Sequence, residues 1–180
     1  HAYEYGDLAT AKAHLREIGG RLGWEALGEH RRPIILGIAG YGNVAHGCRE
    51  ILDCLPVTEV PVEALPAAAG YAAAETPLLA VTFREEDMVA PRREDAAFDL
   101  QEYYEHPERY RGDFARHLEH LDVLVNAVYW EERCPRLVTA DWVRAHYGRD
   151  EEPRLQVIGD ISCDIQGGVE ITEQVTLPDE

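Results

Sequence analysis

The 180-residue chain is strongly acidic, with 34 aspartates and glutamates against 17 lysines and arginines and a formal net charge of −17 at pH 7. Such a charge disfavours nucleic acid and anionic membranes as partners, and the sequence holds no apolar run long enough to span a bilayer. The four cysteines form no C-x-x-C pair, so no metal site or redox motif is expected, and buried thiols in a reducing cytoplasm are the prediction.

An amphipathic helix is predicted near the start of the chain, because apolar residues recur at spacings of three and four at positions 8, 11, 15, 18 and 22. Gly23 is the expected end of this helix. The chain begins at His1 and its only methionine is Met88, so we expect it to be a piece of a longer protein. On this interpretation residues 1–29 lead in from another domain, and residues 30–180 form one domain of ordinary size. The sequence leaves the oligomeric state open, a homo-oligomer included.

The most informative stretch is an apolar run at 33–39 that turns through Gly40-x-Gly42-x-x-Ala45 into a helical segment at 44–55. A strand, this glycine spacing and a helix together are the dinucleotide-binding fingerprint. Gly40 permits a tight turn, Gly42 lets a pyrophosphate approach the backbone, and Ala45 lets the helix pack close to the strand. The phosphates would then face free N–H groups at the start of the helix. The alternative is a glycine-rich turn without a ligand.

A second short strand is predicted at 57–60, where a dinucleotide fold usually places an acid that holds the adenosine ribose. Glu59 and Glu63 are the candidates for this acid, and the intervening Pro61 obscures the register. Two carboxylates at the ribose would repel a 2′-phosphate, which favours NAD over NADP. The alternative is that both are solvated surface acids.

The middle of the chain predicts a short or broken helix at 64–74, a third strand at 78–83 and a long surface excursion at 84–100. The excursion carries three arginines that either meet a phosphate or pair with the many nearby acids, namely Arg84, Arg92 and Arg93. A helix at 103–121 follows, and its His117 and His120 are interpreted as surface histidines because no third metal ligand is evident.

The last third of the chain alternates strands and helices. Apolar runs predict strands at 122–129 and 154–161, and an alternating pattern predicts a sixth strand at 169–175. A helix at 139–147 lies between the first two, with Thr139 as its N-cap. The alternation predicts an α/β fold, a Rossmann-like doubly wound and mainly parallel sheet with helices on both faces.

Ligands of such sheets bind outside the carboxyl ends of the strands, so polar residues at those ends are candidate site residues. Asn126, followed by Ala127, ends the fourth predicted strand and is a candidate to bind a ribose or a carboxamide. Asp160 and Asp164 follow the fifth and are candidates to anchor the nicotinamide ribose or to handle a proton. The alternative is that these acids cap the following turn.

Five blocks of the sequence resemble the lysine–ketoglutarate reductase part of aminoadipic semialdehyde synthase: GYGNVAHG at 40–47, YEHPERY at 104–110, YWE at 129–131, PRLVT at 135–139 and GDISCDIQGG at 159–168. They are similar, more distantly, to lysine-forming saccharopine dehydrogenases and to alanine dehydrogenase with its transhydrogenase relatives. The resemblance runs from the fingerprint to the end of the chain.

This resemblance implies an NAD- or NADP-binding domain of an oxidoreductase of lysine metabolism, which joins lysine and 2-oxoglutarate and reduces the imine to saccharopine. It implies that Gly40, Gly42, Asn43 and Val44 face the pyrophosphate, that Asn126 and its neighbours lie on the nicotinamide side and that Asp164 lies at the rim of the cleft. The substrate domain, with the lysine and histidine that handle protons in relatives, would lie outside this chain. An alanine dehydrogenase-like enzyme and a non-catalytic NAD(P)-sensing module are the alternatives.

Overall fold

The structure, a computed structural model, describes residues 4–23, 25, 32–69, 77–148 and 153–175. In chain order the described helices and strands are α1 (Leu8–Gly19), β1 (Ile34–Ala39), α2 (Asn43–Leu52), β2 (Val57–Glu59), α3 (Leu65–Ala69), β3 (Leu78–Phe83), α4 (Glu85–Met88), β4 (Val89–Pro91), α5 (Leu100–Glu105), β5 (Tyr110–Gly112), α6 (Ala115–Leu118), β6 (Val123–Asn126), α7 (Ala140–His146) and β7 (Val157–Asp160). The described residues also include 3-10 helices at Val62–Ala64 and Pro107–Arg109.

Within the described residues, five strands form a parallel sheet in the order β2-β3-β1-β6-β7. Ala39, at the end of β1, pairs with Phe83 of β3 on one side and with Asn126 of β6 on the other, and Asn126 in turn pairs with Asp160 of β7. The predicted α/β fold with a mainly parallel, Rossmann-like sheet is confirmed. One feature departs from the usual order, in which the strand after the fingerprint helix lies next to β1. Here that strand, β2, lies at the edge of the sheet, and β3 lies between it and β1.

The central strand is held by close packing. Gly37 of β1 lies beneath two bulky side chains, because an added Cβ would stand 2.6 Å from Leu121 Cδ1 and 2.9 Å from Phe83 Cε2. Phe83 also packs edge-on against Phe114, with ring centroids 4.9 Å apart. Any larger residue at position 37 would have to displace this core, so the strand that carries the fingerprint turn is fixed from below.

A half-buried ion pair fixes the amino end of the sheet. Asp122, just before β6, accepts hydrogen bonds from the Ile35 N–H at 2.8 Å and from Arg154 Nε and Nη2 at 3.0 and 2.8 Å. Arg154 also donates to the carbonyl oxygens of Pro33 and Ala69, each at 2.6 Å. This network joins β1, β6 and the segment before β7 at the edge opposite the fingerprint turn.

The helix predicted over 103–121 is wrong. The chain forms α5, a 3-10 helix, β5 and α6 there, and the first break falls at His106–Pro107. Proline lacks an N–H, and it disfavours helical backbone at the residue before it. His106 accordingly has φ −135° and ψ 57°. Part of the segment after this break forms β5, which runs antiparallel to β4 in a second, two-stranded sheet.

Two further predictions are wrong because partners distant in sequence decide the outcome. The 84–100 segment is not wholly a surface excursion, since Met88 and Val89 within it are buried. His117 is not a surface histidine, because it is only 7% exposed and its Nε2 lies 3.1 Å from the Asp87 carbonyl oxygen. A carbonyl only accepts, so Nε2 carries a proton, and burial lowers the His117 pKa.

Other boundaries also differ. The sixth strand predicted at 169–175 is absent, and its one ladder contact is a bridge between Val169 and Val138. The first helix ends at Gly19 rather than near residue 22, with Gly20 as its C-cap. The helix predicted at 64–74 is seen as α3, and its last part lies outside the described residues. Thr139 caps α7 as predicted, because its Oγ1 accepts from the Trp142 N–H at 3.1 Å.

Candidate functional site

The fingerprint turn (residues 40–42) lies at the carboxyl end of β1. Gly40 has φ +101°, and its N–H donates to the Phe83 carbonyl oxygen at 3.0 Å. An added Cβ at this position would stand 3.0 Å from the Ala127 carbonyl oxygen, so both the backbone angle and the space require glycine. Gly42 is the N-cap of α2, and a Cβ there would meet no atom within 4 Å. The turn therefore presents open, side-chain-free backbone at the start of a helix.

The first residues of α2 extend this open surface. Asn43 and Val44 are exposed, and the first N–H groups of a helix have no partner within it. Ala45 is fully buried against the sheet, where a small side chain is needed for close packing. Exposed N–H groups at a helix start favour an anion such as a pyrophosphate.

On the β6 side of β1, the polar side chains bond to one another. Asn126 is fully buried, and its Nδ2 donates to Asp160 Oδ1 at 2.8 Å and to Ser162 Oγ at 3.1 Å. Its Oδ1 accepts from the Val128 N–H at 3.2 Å, while Asp160 Oδ2 accepts from Thr172 Oγ1 at 2.7 Å. The structure thus brings Asn126 and Asp160 together, but as a closed network that shapes the loops after β6 and β7.

The loop after β7 is strained. Cys163 and Gln166 both have φ +53°, a left-handed conformation that costs energy for a residue with a Cβ. Asp164 lies between them, exposed, and its carbonyl oxygen accepts from the Gly167 N–H at 2.8 Å. Arg136 holds the loop from outside, since its Nη2 donates to the Gln166 carbonyl oxygen at 3.0 Å. Asp164 is therefore carried by a fixed loop at the carboxyl edge of the sheet.

On the β3 side of β1, a cation lies beside the fingerprint turn. Arg84 directly follows β3, and its Cζ lies 4.9 Å from the centroid of the Tyr41 ring. Its side chain is exposed and forms no ion pair with any described residue. The next residue, Glu85, accepts a hydrogen bond from the Tyr104 hydroxyl at 2.6 Å, and this bond raises the Tyr104 pKa. Arg84 is one of the three arginines that the sequence offered as partners for a phosphate, and its position beside the turn follows from the strand order, which puts β3 beside β1.

The two acids expected at the ribose lie elsewhere. Glu59 is on the edge strand β2, with β3 between it and β1, and it is ion-paired with Arg49. Arg49 also donates to Thr82 Oγ1, so the pair is tied to β3 from the side of α2. Glu63 is exposed in the 3-10 helix Val62–Ala64. The structure does not bring either carboxylate to the fingerprint turn.

A pocket of about 430 Å³ opens between the fingerprint turn and the loop after β6. It is lined by residues 40–42 and 127–129 and also by Glu85, Tyr103, Tyr104 and Cys134. This volume lies in the range of small-molecule and cofactor sites. Glycine backbone and aromatic rings in one lining are suited to a flat, polar ligand that bears phosphate.

No protein-family model matches the sequence. The alpha-aminoadipic semialdehyde synthase of Arabidopsis thaliana is 30% identical over 191 residues, which cover 99% of this chain and 18% of that protein. The mitochondrial alpha-aminoadipic semialdehyde synthases of Bos taurus and Mus musculus are each 26% identical over 188 residues, which cover 97% of the chain and 20% of each relative. The chain thus spans about a fifth of the length of the curated relatives it matches.

The names of the relatives also bear on where in the cell the protein is expected to be found. The two mammalian relatives are mitochondrial by name, so the cytoplasmic location expected from the sequence stays a prediction. Among the described residues, no helix combines the length and the apolar character that crossing a membrane requires.

The resemblance found in the five sequence blocks is confirmed, and it extends over nearly the whole chain. The chain is a homologue of one segment of alpha-aminoadipic semialdehyde synthase.

Proposed function

We propose that this chain is the nicotinamide-dinucleotide-binding domain of an oxidoreductase of the lysine–ketoglutarate reductase type, formed by residues 30–180. The observation that carries the proposal is the open fingerprint turn at the carboxyl end of the central strand, beside a pocket of about 430 Å³. Ligands of parallel α/β sheets bind at this edge. Homology to alpha-aminoadipic semialdehyde synthase supports the reaction class.

The position of the fingerprint turn supports one orientation of the dinucleotide across the sheet. The pyrophosphate would lie on Gly42 and the N–H groups of Asn43 and Val44, where the start of α2 stabilises negative charge. The nicotinamide would lie toward Ala127, in the pocket over β6. The adenosine ribose would then lie at the end of the strand on the other side of β1, which is β3.

The residue at that ribose position favours NADP over NAD. Arg84 follows β3, is exposed and keeps its guanidinium over Tyr41, without a carboxylate partner among the described residues. A forked guanidinium at this place suits a 2′-phosphate. The preference for NAD that Glu59 and Glu63 suggested in the sequence loses its basis, because Glu59 is paired with Arg49 on the edge strand.

The substrates implied by the resemblance are lysine and 2-oxoglutarate, with saccharopine as the product. The bound nicotinamide supplies the hydride. The chain's own part is to bind and orient it, through the turn and through the rigid Asn126–Asp160 network beneath the pocket. Imine reduction also needs an acid–base group within hydrogen-bond reach of the reacting nitrogen, and Asp164 is the candidate here. We expect the other proton-handling groups in the substrate domain, so the 180-residue chain alone should bind the dinucleotide without turnover.

The test is to titrate NADPH and NADH separately into the chain and into Arg84→Ala. We expect NADPH to bind more tightly, and Arg84→Ala to weaken NADPH by about tenfold while leaving NADH unchanged, because a charge-assisted contact is lost. Arg93→Ala is the matched control, since Arg93 is an exposed arginine paired with Asp95. Equal effects on both nucleotides would contradict the role of Arg84, and no binding of either would overturn the proposed function.

A further inference from the structure

The pocket beside the fingerprint turn contains one charge that the described residues do not balance. Among them, three charged side chains line the pocket: Glu85, Glu131 and Arg133. Glu131 and Arg133 form an ion pair with each other, with Oε2 and Nε 2.7 Å apart. Arg84, which precedes Glu85, keeps its guanidinium over the Tyr41 ring, and Glu85 forms no ion pair with any described residue. The lining therefore has an unbalanced negative charge at Glu85.

Tyr104 fixes the position of this carboxylate. Glu85 Oε1 accepts a hydrogen bond from the Tyr104 hydroxyl at 2.6 Å, a length typical of a bond to an ionised carboxylate. This bond raises the Tyr104 pKa, with burial and the neighbouring Tyr41 as further causes, so Tyr104 stays protonated and keeps donating. The other oxygen of Glu85, Oε2, has no hydrogen-bond partner in the described part of the chain. Glu85 is half-buried, and it presents its charge and this oxygen to the pocket.

A negative charge at this place is unfavourable unless the ligand brings a positive one. Partial burial removes water from the Glu85 carboxylate, and the loss of water disfavours the charged form. The phosphates of a dinucleotide on the adjacent turn would repel the same carboxylate. A cationic group of the ligand in the pocket would offset both costs, because opposite charges attract strongly where water is partly excluded.

The aromatic residues of the lining favour the same kind of ligand group. Four tyrosines line the pocket together with Glu85: Tyr41, Tyr103, Tyr104 and Tyr129. The face of an aromatic ring is electronegative and attracts a cation that lies within about 6 Å of its centre. Tyr129 is 83% exposed, so its ring is accessible to a ligand. The carboxylate and the rings are therefore suited to a group that is both flat and positively charged.

We propose that Glu85 shifts the preference of the pocket toward the oxidised nicotinamide ring, which carries a positive charge, and away from the reduced ring, which is neutral. This inference rests on the proposed function, because it takes the nicotinamide to lie in the pocket that Ala127 and Glu85 both line. Tyr104 is a positioning residue, since it acts through Glu85. In the enzyme, Glu85 would favour hydride donation to the imine carbon, because the ring gains its positive charge as the hydride leaves.

The test is to titrate NADP⁺ and NADPH into the 180-residue chain and into Glu85→Gln, and to compare the ratio of the two affinities. Both forms carry the same phosphates, so the ratio isolates the charge of the ring. We expect Glu85→Gln to weaken NADP⁺ relative to NADPH by about tenfold, because the attraction between two opposite charges is lost. Glutamine keeps the size of the side chain and can still accept from Tyr104, so the fold should be retained.

Two further variants separate the charge of Glu85 from its position. Glu86→Gln is the matched control and should leave the ratio unchanged, since Glu86 is the next residue of α4, is exposed and lies outside the pocket lining. Tyr104→Phe should lower the preference for NADP⁺ by about threefold, because one hydrogen bond that orients the carboxylate is lost. In a double variant, Tyr104→Phe should add nothing to Glu85→Gln, since both changes act through one carboxylate.

The outcomes distinguish this inference from the proposed function. An unchanged ratio in Glu85→Gln, or an equal change in Glu86→Gln, would overturn the role of Glu85 while the nucleotide site stands. Binding of neither form by the natural chain would overturn the proposed function and this inference with it. Tyr104 is 52% exposed, so Tyr104→Phe keeps the test decisive if Glu85→Gln does not fold. An unchanged ratio in Tyr104→Phe would then count against the inference.

Discussion

At the carboxyl edge of the sheet, polar side chains on the two sides of β1 differ in whether other protein groups satisfy their hydrogen bonds. On the β6 side, Asn126 and Asp160 bond to each other and to neighbouring hydroxyls, and Asn126 is fully buried. On the β3 side, Arg84 is exposed beside the fingerprint turn, and its guanidinium lies over the Tyr41 ring without an ion pair to any described residue. A group whose hydrogen bonds are satisfied internally fixes the shape of a site, whereas one left open can recognise a ligand. On the proposed function, the β6 side would fix the shape of the nucleotide site and the β3 side would select between NAD and NADP.

The largest expected effect is a loss of stability when the Asn126–Asp160 network on the β6 side is broken. Asn126→Ala removes three hydrogen bonds from a buried position and leaves the Val128 N–H without its partner, while Asp160 keeps only its bonds from Ser162 and Thr172. We expect the free energy of unfolding to fall by about 3 kcal/mol. Urea denaturation measures it, with Asn43→Ala, at an exposed position, as the control. A loss below about 1 kcal/mol would show that the network is not a structural element.

The next effect tests the turn that separates the two sides. Gly42→Val places a branched side chain where the pyrophosphate would lie, and we expect the affinity for NADPH and NADH to fall by about 100-fold. The fold should be retained, because no atom lies within 4 Å of the added Cβ. Gly47→Val is the matched control, since its Cβ also meets nothing within 4 Å. Unchanged affinity in Gly42→Val would contradict binding at this turn.

A smaller expected effect is on turnover, and it tests whether a residue after β7 takes part in the chemistry rather than only in the fold. Asp164 is exposed and lies outside the Asn126–Asp160 network. In the full-length protein we expect Asp164→Asn to lower kcat by about tenfold, because a positioned charge at the cleft is lost, while nucleotide affinity changes little. Steady-state kinetics and nucleotide titration give the two values, with Glu173→Gln as the control. Unchanged kcat would leave Asp164 as a turn residue only.

The smallest expected effect concerns the packing beneath β3. Burial lowers the His117 pKa in the folded state, so the unfolded chain takes up a proton at higher pH than the folded one. The stability contributed by neutral His117 is therefore complete above its ordinary pKa and is lost as pH falls through that value toward the lower folded pKa. Urea midpoints measured in this range should fall more steeply for the natural chain than for His117→Gln. Identical slopes would contradict this.

A feature of this molecule could be predicted from the sequence where it depends on residues close together along the chain. The turn after β1 and the cap at Thr139 follow from neighbouring residues, and both could be located from sequence alone. The position of Glu59 relative to the fingerprint turn could not be predicted, because strand order is not local: β3 inserts between β2 and β1. The same insertion brings Arg84 beside the fingerprint turn, and the sequence alone could not choose between Arg84, Arg92 and Arg93.

Burial was the second source of error. His117 is placed under Phe83 and against the Asp87 carbonyl by contacts between distant segments, so the helical spacing of His117 and His120 was misleading. The break at Pro107 is local and follows from proline chemistry, because proline lacks an N–H and disfavours helical backbone at the residue before it. The alternation at 169–175 resembles a strand, yet the one bridge there joins Val169 to Val138 and the chain turns away.

The insertion of β3 also has a consequence for how the chain folds. The central strand is paired only with strands far along the chain, since Ile34 is joined to Leu78 and Leu36 to Val123. Such non-local pairing slows folding, because long loops must close before the contacts form. During synthesis the fingerprint turn leaves the ribosome before Phe83 and Ala127, the residues that it contacts. A nascent chain that ends before β6 therefore carries the whole glycine motif without the neighbouring strands that hold it, and the proposed nucleotide binding should arise only after β6 has been synthesised.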